Sequence, residues 1–392
     1  MQEPENTPLL PLWPKISIAG LSTLLGACAE EPPPPRDTGK TGTDDVDADM
    51  CGCMGPPATG TTPGGATPTP GGGTTTPGGG TTTPGGGATT PVAESRLFSF
   101  LGPDTAALNV RGATMMSTLT QTMADGRAIR VWGFGNGFNS DRAVPGPVIE
   151  LTEGQPAAIT LSSMMPHTLH PHGLDVDQAN DGVPTTSQAV SMATGPFTYQ
   201  FVAPHAGSYA YHCHVDTVLH MEMGMSGTII VRPPDGRANQ LWNGGPTFER
   251  EAIWQLHTFD SRWHRESRSG PATTRYTPDY FMINGRDGVN LLSDPTVAIQ
   301  AQLGETVAIR LVNLGYLPTR ISVAGLVLRV VASDGRPLRL SLNRAQLLVN
   351  PGERYDVLLS ALTAGSYTAS VDYLDIRGVG VLGSAVTQVS FS

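Results

Sequence analysis

From Ser95 onward, apolar and polar residues alternate in short runs: RAIRVWGF at 127–134, PVIELTEG at 147–154, PAAITLSS at 156–163, FTYQFVA at 197–203 and GTIIVRP at 227–233. Gly, Pro, Asn and Asp separate the runs, and no long helical period interrupts them. Alternation with period two predicts strands with one buried face, and strands at this spacing predict a β-sandwich. The texture breaks at RPPDGRANQLWNGGP, residues 232–246. It then returns in EAIWQLHTF, TVAIQAQLG, TVAIRLVNL, RISVAGLVLRVVASDG, AQLLVNPGERYDVLLSA and SYTASVDYL. The pattern predicts an all-β chain with two tandem sandwiches, over 95–235 and 236–392.

The first quarter of the chain carries no such pattern. From about Glu30 to Pro91 it reads EPPPP, then acidic DTGKTGTDDVDADM, then near-repeats of GGGTTTP. A segment with so few apolar residues cannot offset the entropy of ordering, so 29–94 is expected to be a disordered tether with a reach on the order of 40 Å. Before it, KISIAGLSTLLGACAEE is too short an apolar run to span a bilayer and ends in small residues and Cys28. Leu25, Gly26, Ala27 and Cys28 resemble a bacterial lipobox. That resemblance implies a signal segment over 1–28, a lipid anchor on Cys28 and a place in the cell envelope. Plain secretion and a chance apolar stretch are the other readings.

Charge narrows the partners only in one respect. The net charge of -10 and the lack of any Lys/Arg cluster argue against counterion-release binding to nucleic acid. Of the four cysteines, Cys51 and Cys53 fall in the tether, as tail residues or as a soft-metal pair, which leaves Cys213 alone in the part predicted to fold. It has no partner there for an internal disulfide.

Seven of the nine histidines gather in two places: His167, His170 and His172 in MPHTLHPHG, and His212, His214 and His220 in YHCHVDTVLHMEMGM, with His205 just upstream. On a strand, HxH puts both imidazoles on one face and the residue between them on the other. His212 and His214 therefore face away from Cys213. Cys213, His220 and Met225 with a neighbouring histidine supply thiolate, imidazole and thioether, the donor set of a blue-copper electron-transfer centre. His167 is the natural fourth member. His205, in a PHAG turn, reads as a surface residue; Met221 and Met223, read as a continuing strand, alternate toward the core or the site rim, as packing or as further ligands.

These motifs resemble those of the multicopper oxidases and, more distantly, of the copper nitrite reductases, both built from cupredoxin domains. AVPGPVIELTEGQPAAITL, LHPHGLD with DGVPTTSQ, and FTYQFVAPHAGSYAYHCH carry the likeness over roughly residues 130–232. FMINGRDG, GETVAIRLVNLG, VVASDGRPL and NPGERYDVLL resemble the ligand-free middle domain of three-domain oxidases. The resemblance implies two cupredoxin-like Greek-key sandwiches. It implies type 1 copper on His167, Cys213, His220 and Met225, type 2 copper at His170, and a type 3 pair at His172, His212 and His214. It also implies a proton-relaying role for Asp181 in NDGVP, for which a plain loop carboxylate is the equal alternative. Asp216 and Glu222 read as solvated charges, with an effect on donor preference as the alternative, and His257 and His264 as residues of an early strand and turn, with a ligand role as the lesser alternative.

Two functions stay open. One is an enzyme that takes electrons from a small-molecule or protein donor at type 1 copper, near His220 at the domain surface, and passes them through Cys213 to His212 and His214, where dioxygen is reduced. The resemblance implies eight histidines for such a cluster. Four are present, and PTRISVAG and YTASVDY of the second domain hold none. A head-to-head homo-oligomer would supply four more. The alternative is a non-enzymatic tethered electron carrier or copper binder.

Overall fold

The computed structural model describes residues 98–114, 118–136, 144–234, 238–265, 275–377 and 380–392. The lipobox-like start, the 29–94 tether, Cys51 and Cys53 lie outside them.

Two sandwiches follow one another. In the first, a five-stranded sheet runs in the order Phe100–Leu101, Val148–Thr152, Ser226–Arg232, Gly207–His212, His170–His172. It faces a four-stranded sheet of Gly133–Gly135, Thr105–Arg111, Pro156–Ser162 and Phe197–Val202. Sequence neighbours are mostly not sheet neighbours, and Val148–Thr152 pairs in parallel with both Phe100–Leu101 and Ser226–Arg232. Crossovers of this kind define the Greek-key arrangement of cupredoxin-like sandwiches. The second sandwich sets a six-stranded sheet around Arg250–Phe259, Val307–Asn313 and Arg354–Leu359 against a five-stranded one around Gly365–Leu374 and Val381–Phe391.

Burial follows the alternation read from the sequence. In Pro156–Ser162, Ala157, Ile159 and Leu161 point inward; in Gly365–Leu374, Ala369, Val371 and Tyr373 do. Gly207–His212 departs from this and is buried at every position, because it lies between two strands and also under the second sandwich. Ala210 packs there on Val312 and Leu314. Around that contact is a polar network. Glu251 accepts from Arg232 at 2.7 and 2.8 Å and from Arg310 at 2.6 Å, and Ser208 donates to Asp356. Burial raises the Glu251 pKa, but the two guanidiniums outweigh it and hold the carboxyl at about 2. Such a buried ion cluster fixes how the sheets meet, because removing one member strands the others in a dry interior.

Candidate metal centres

The pairing register brings the histidines together. Gly207–His212 runs antiparallel to His170–His172 with His212 opposite His170 and Ala210 opposite His172. Cross-strand partners have Cβ atoms roughly 5 Å apart, so the three imidazoles share one face. One nitrogen from each of His170, His172 and His212 lies within 4.8 Å of the others, and His172 Nδ1 is 3.3 Å from His212 Nε2. The strand ends at His212, yet His214 still joins the group, its ring centroid 5.4 Å from that of His170 and 5.9 Å from that of His212.

Cys213 turns the other way. Its Sγ lies 3.5 Å from His167 Nδ1 and 3.1 Å from His220 Nδ1, and the three donor atoms fall within 4.8 Å of one another. His167 is held by a two-way backbone bridge to Val190. Met225 is fully buried in the same apolar cluster as Cys213. The backbone links the set further: Met225 N–H donates to His220 O at 3.0 Å, and Cys213 N–H to Met225 O at 3.1 Å. The Trp132 indole stands edge-on to both His220 and His167, with centroids 5.2 and 6.4 Å away.

Three expectations need correction. YHCHVDTVLHMEMGM does not continue as a strand: Thr217–Glu222 is a six-residue helix, so the long interval between Cys213 and His220 is taken up by a helical turn, and alternation does not govern Met221 or Met223. Gly224, at φ 104, leads the chain out of that helix to Met225, with no room for a Cβ beside Val144. Second, His220 is buried, 8% exposed, and is not a surface ligand; its environment is Trp132, His167 and Cys213. Third, Glu222 is completely buried instead of solvated, accepting from Asp260 N–H at 2.5 Å with His264 Nε2 3.4 Å away. His205 is exposed, as its turn suggested.

Asp181 meets the histidine cluster twice. His170 Nδ1 lies 2.6 Å from the Asp181 carbonyl and 3.2 Å from its carboxylate. The carbonyl fixes the His170 tautomer with Nδ1–H donating, which turns Nε2 to the cluster as a lone-pair donor. Next to it Gly182, at φ 72, passes so close to Leu169 O that a Cβ would lie 2.0 Å from it.

Burial suppresses charge in both clusters. It takes His167 and His212 down to about 3 and His220 and His172 to about 4, with neighbouring His220 adding to the effect at His167 and Arg354 at His172. Burial pushes the Cys213 thiol up to about 11. These are neutral imidazoles with free lone pairs, the form that ligates metal. His167 Nε2 is buried without a partner, so the Nδ1 facing Cys213 is the nitrogen with a role in the site. One thiol, two imidazoles and a buried thioether suit copper by softness, and the three imidazoles behind them suit copper or zinc. Both donor sets fit the metal.

The second sandwich adds no histidine to either cluster among the described residues. It presents Gly352 and Arg354 to the His172 and Gly173 side; a Cβ on Gly352 would lie 3.4 Å from His172 Nε2, and one on Gly173 would collide with the Arg354 guanidinium. His257 Nε2–H donates to Met221 O at 2.9 Å, and His264 Nδ1–H to Arg130 O at 2.6 Å. Sequence reasoning missed Trp132, Gly352 and Arg354, which belong to the site only through long-range packing.

Comparison with known proteins points one way. Two multicopper oxidase family models match residues 120–236 and 256–389. Laccase-7 of Oryza sativa subsp. japonica is 28% identical over 244 residues, 59% of this chain and 42% of that protein. Oxidoreductase OpS5 of Beauveria bassiana is 27% identical over 238 residues, 56% of this chain and 38% of that protein. The chain thus spans about two fifths of the length of these relatives. Among solved structures, the blue copper oxidase from Nitrosomonas europaea matches with a TM-score of 0.60 and 26% identity over 73% of this chain and 85% of that one. A copper nitrite reductase from Nitrosomonas europaea shares the fold at a TM-score of 0.55 and 22% identity, over 74% of this chain and 94% of that one.

Proposed function

The chain belongs to the multicopper oxidase family, laccase-like in its relatives, and on that premise we propose that it is a copper-dependent oxidoreductase that takes electrons from a reducing substrate and delivers them to dioxygen. Copper supplies the one-electron redox couple and the dioxygen chemistry when bound. His167, Cys213, His220 and Met225 would hold it on one side, and His170, His172, His212 and His214 on the other.

The observation that carries the reading is the position of Cys213. Its Sγ faces His167 and His220, while its backbone neighbours His212 and His214 stand in the imidazole cluster behind. The two sites share a covalent path of one residue, short enough to couple donor oxidation to acceptor reduction. Cys213 is fully buried in an apolar cluster that includes Leu219, Met223 and Met225, out of reach of bulk water. The Asp181 carboxylate, 3.2 Å from His170 Nδ1, supports a proton-relaying role beside the cluster. With His220 buried, the donor's electrons would enter through residues packed against it, such as Trp132, whose ring stands edge-on at 5.2 Å.

A second reading is favoured by one observation. Because the second sandwich presents Gly352 and Arg354 to the His172 side of the cluster and adds no histidine among the described residues, a single chain holding one or a few coppers would act as a tethered electron carrier. A head-to-head oligomer joining two first sandwiches would restore the oxidase. Metal-free protein reloaded with copper and assayed with a phenolic donor in an oxygen electrode separates the two: donor-dependent oxygen uptake supports the oxidase, and an intense blue band without uptake supports the carrier. The proposal includes export through the 1–28 segment with a lipid on Cys28, which Cys28→Ser tests by release of the protein from membranes.

A further inference from the structure

The helix that carries His220 cannot stand alone. Thr217–Glu222 has six residues, and its N-cap Asp216 sits at φ 42 and makes no side-chain capping bond. Helices this short are unstable in water and leave their last carbonyls without intrahelical partners. Tertiary contacts must hold this one, and most of its polar anchors come from the second sandwich. His257 Nε2–H donates to Met221 O at 2.9 Å, Asp260 N–H donates to Glu222 at 2.5 Å, and the Tyr316 hydroxyl donates to Val218 O. From the first sandwich, Trp132 N–H donates to Met223 O at 2.8 Å.

His257 is the informative member. It is 2% exposed, on the inner strand Arg250–Phe259, and its other ring nitrogen, Nδ1, is buried without a partner. Leaving a buried nitrogen unpaired is unfavourable, so packing alone would favour an apolar residue of similar volume. The polar contact it does make is to the backbone of the helix between His220 and Met225. Next to Met221 in the chain, His220 O accepts from Met225 N–H and Met225 O from Cys213 N–H, so the backbone that carries all three side chains is tied to the position of Met221. With Cys213 Sγ and His220 Nδ1 only 3.1 Å apart, a displacement of a few tenths of an ångström alters the donor geometry.

We infer that His257, supported by Glu222 and Tyr316, is a positioning residue through which the second sandwich, without giving a ligand, sets the geometry of the copper site in the first. The inference rests on the type 1 reading of Cys213, His167 and His220. It gives the second sandwich a task in the redox chemistry beyond scaffolding.

The full chain loaded with copper tests it by absorption, electron paramagnetic resonance and redox titration against a dye. In His257→Leu, which removes the hydrogen bond and keeps the volume, copper stays at the wild-type amount, the thiolate-to-copper band changes in position or intensity, and the reduction equilibrium moves by about tenfold, which is 59 mV for a one-electron couple. His257→Gln, whose amide N–H reaches the same carbonyl, restores most of the wild-type spectrum and potential. Tyr316→Phe removes one hydroxyl from a partly exposed residue and shifts the same quantities less, which keeps the test available should His257→Leu fail to fold. Wild-type spectra and potential in both His257→Leu and Tyr316→Phe overturn the positioning role. A wild-type chain with no such band, or a band that survives Cys213→Ser, overturns the type 1 reading itself and the positioning role with it.

Discussion

The two metal clusters lie one residue apart along the backbone, but they are built differently. On the Cys213 side every donor comes from one sandwich: His167 from a bridged loop, Cys213 from the end of a strand, His220 from a helix and Met225 from the turn after it. All four are buried; backbone hydrogen bonds tie His220, Met225 and Cys213 together, and His167 is held by its bridge to Val190. On the histidine side His170, His172 and His212 come from two paired strands and His214 from just beyond the second, His170, His172 and His214 are partly exposed, and the second sandwich presents glycine and arginine. The first gathers a thiol and two imidazoles within one sandwich. The other is a half whose capacity depends on what else approaches it.

The sharpest way to break that contrast is Cys213→Ser, which removes the thiolate and leaves the imidazoles. It should abolish the intense visible band altogether while the histidine side still binds metal, as read by absorption and by metal analysis. The converse is His212→Ala. It should leave the band and weaken the histidine site by more than the roughly 10–100-fold typical of losing an outer-shell partner, because a direct donor is lost. Copper titration of the metal-free protein measures both.

A smaller effect is expected from Asp181→Asn. The carbonyl 2.6 Å from His170 Nδ1 belongs to the backbone and survives, so the tautomer is kept and only the carboxylate at 3.2 Å is lost. Metal affinity should fall by about tenfold at most. If proton delivery is its task, oxygen uptake falls more than affinity does, and the pH profile of uptake changes shape.

Acid should act on the metal-free protein through both clusters. His167 and His212 at about 3 and His172 and His220 at about 4 are depressed from the ordinary 6.5. Groups buried neutral contribute stability that is fully present above pH 6.5 and is lost as pH falls toward 4 and 3. Glu251 adds its own loss below about 4.5, fading as pH approaches 2. Denaturant melts of metal-free protein should show a steady decline from pH 7 to pH 4, and His212→Leu should flatten it.

Much of this was legible in the chain. Alternation in PAAITLS and SYTASVDYL gave strands because one face of each is buried. The HxH pairs declared a shared face because side chains in a strand have period two, and Cys213 between His212 and His214 declared the opposite one. The alternation failed at VDTVLHMEMGM, since a short run cannot distinguish a strand from one helical turn held by distant groups. The burial of Glu222 and the role of His257 were invisible for the same reason: both depend on contacts across 36 to 42 residues, Met221 with His257 and Glu222 with His264. Thr105–Arg111 and Arg336–Arg344 were missed as strands because TAALNVR alternates weakly and RPLRLSLNR stays largely exposed.

The most direct test of the central claim is stoichiometric copper titration of the metal-free full chain, followed by absorption. Two separate donor sets predict an intense thiolate-to-copper band that saturates with about one copper per chain while further copper binds without adding to it. Copper that binds with no thiolate band at any ratio would contradict the assignment of Cys213, His167, His220 and Met225, and with it the two-site account.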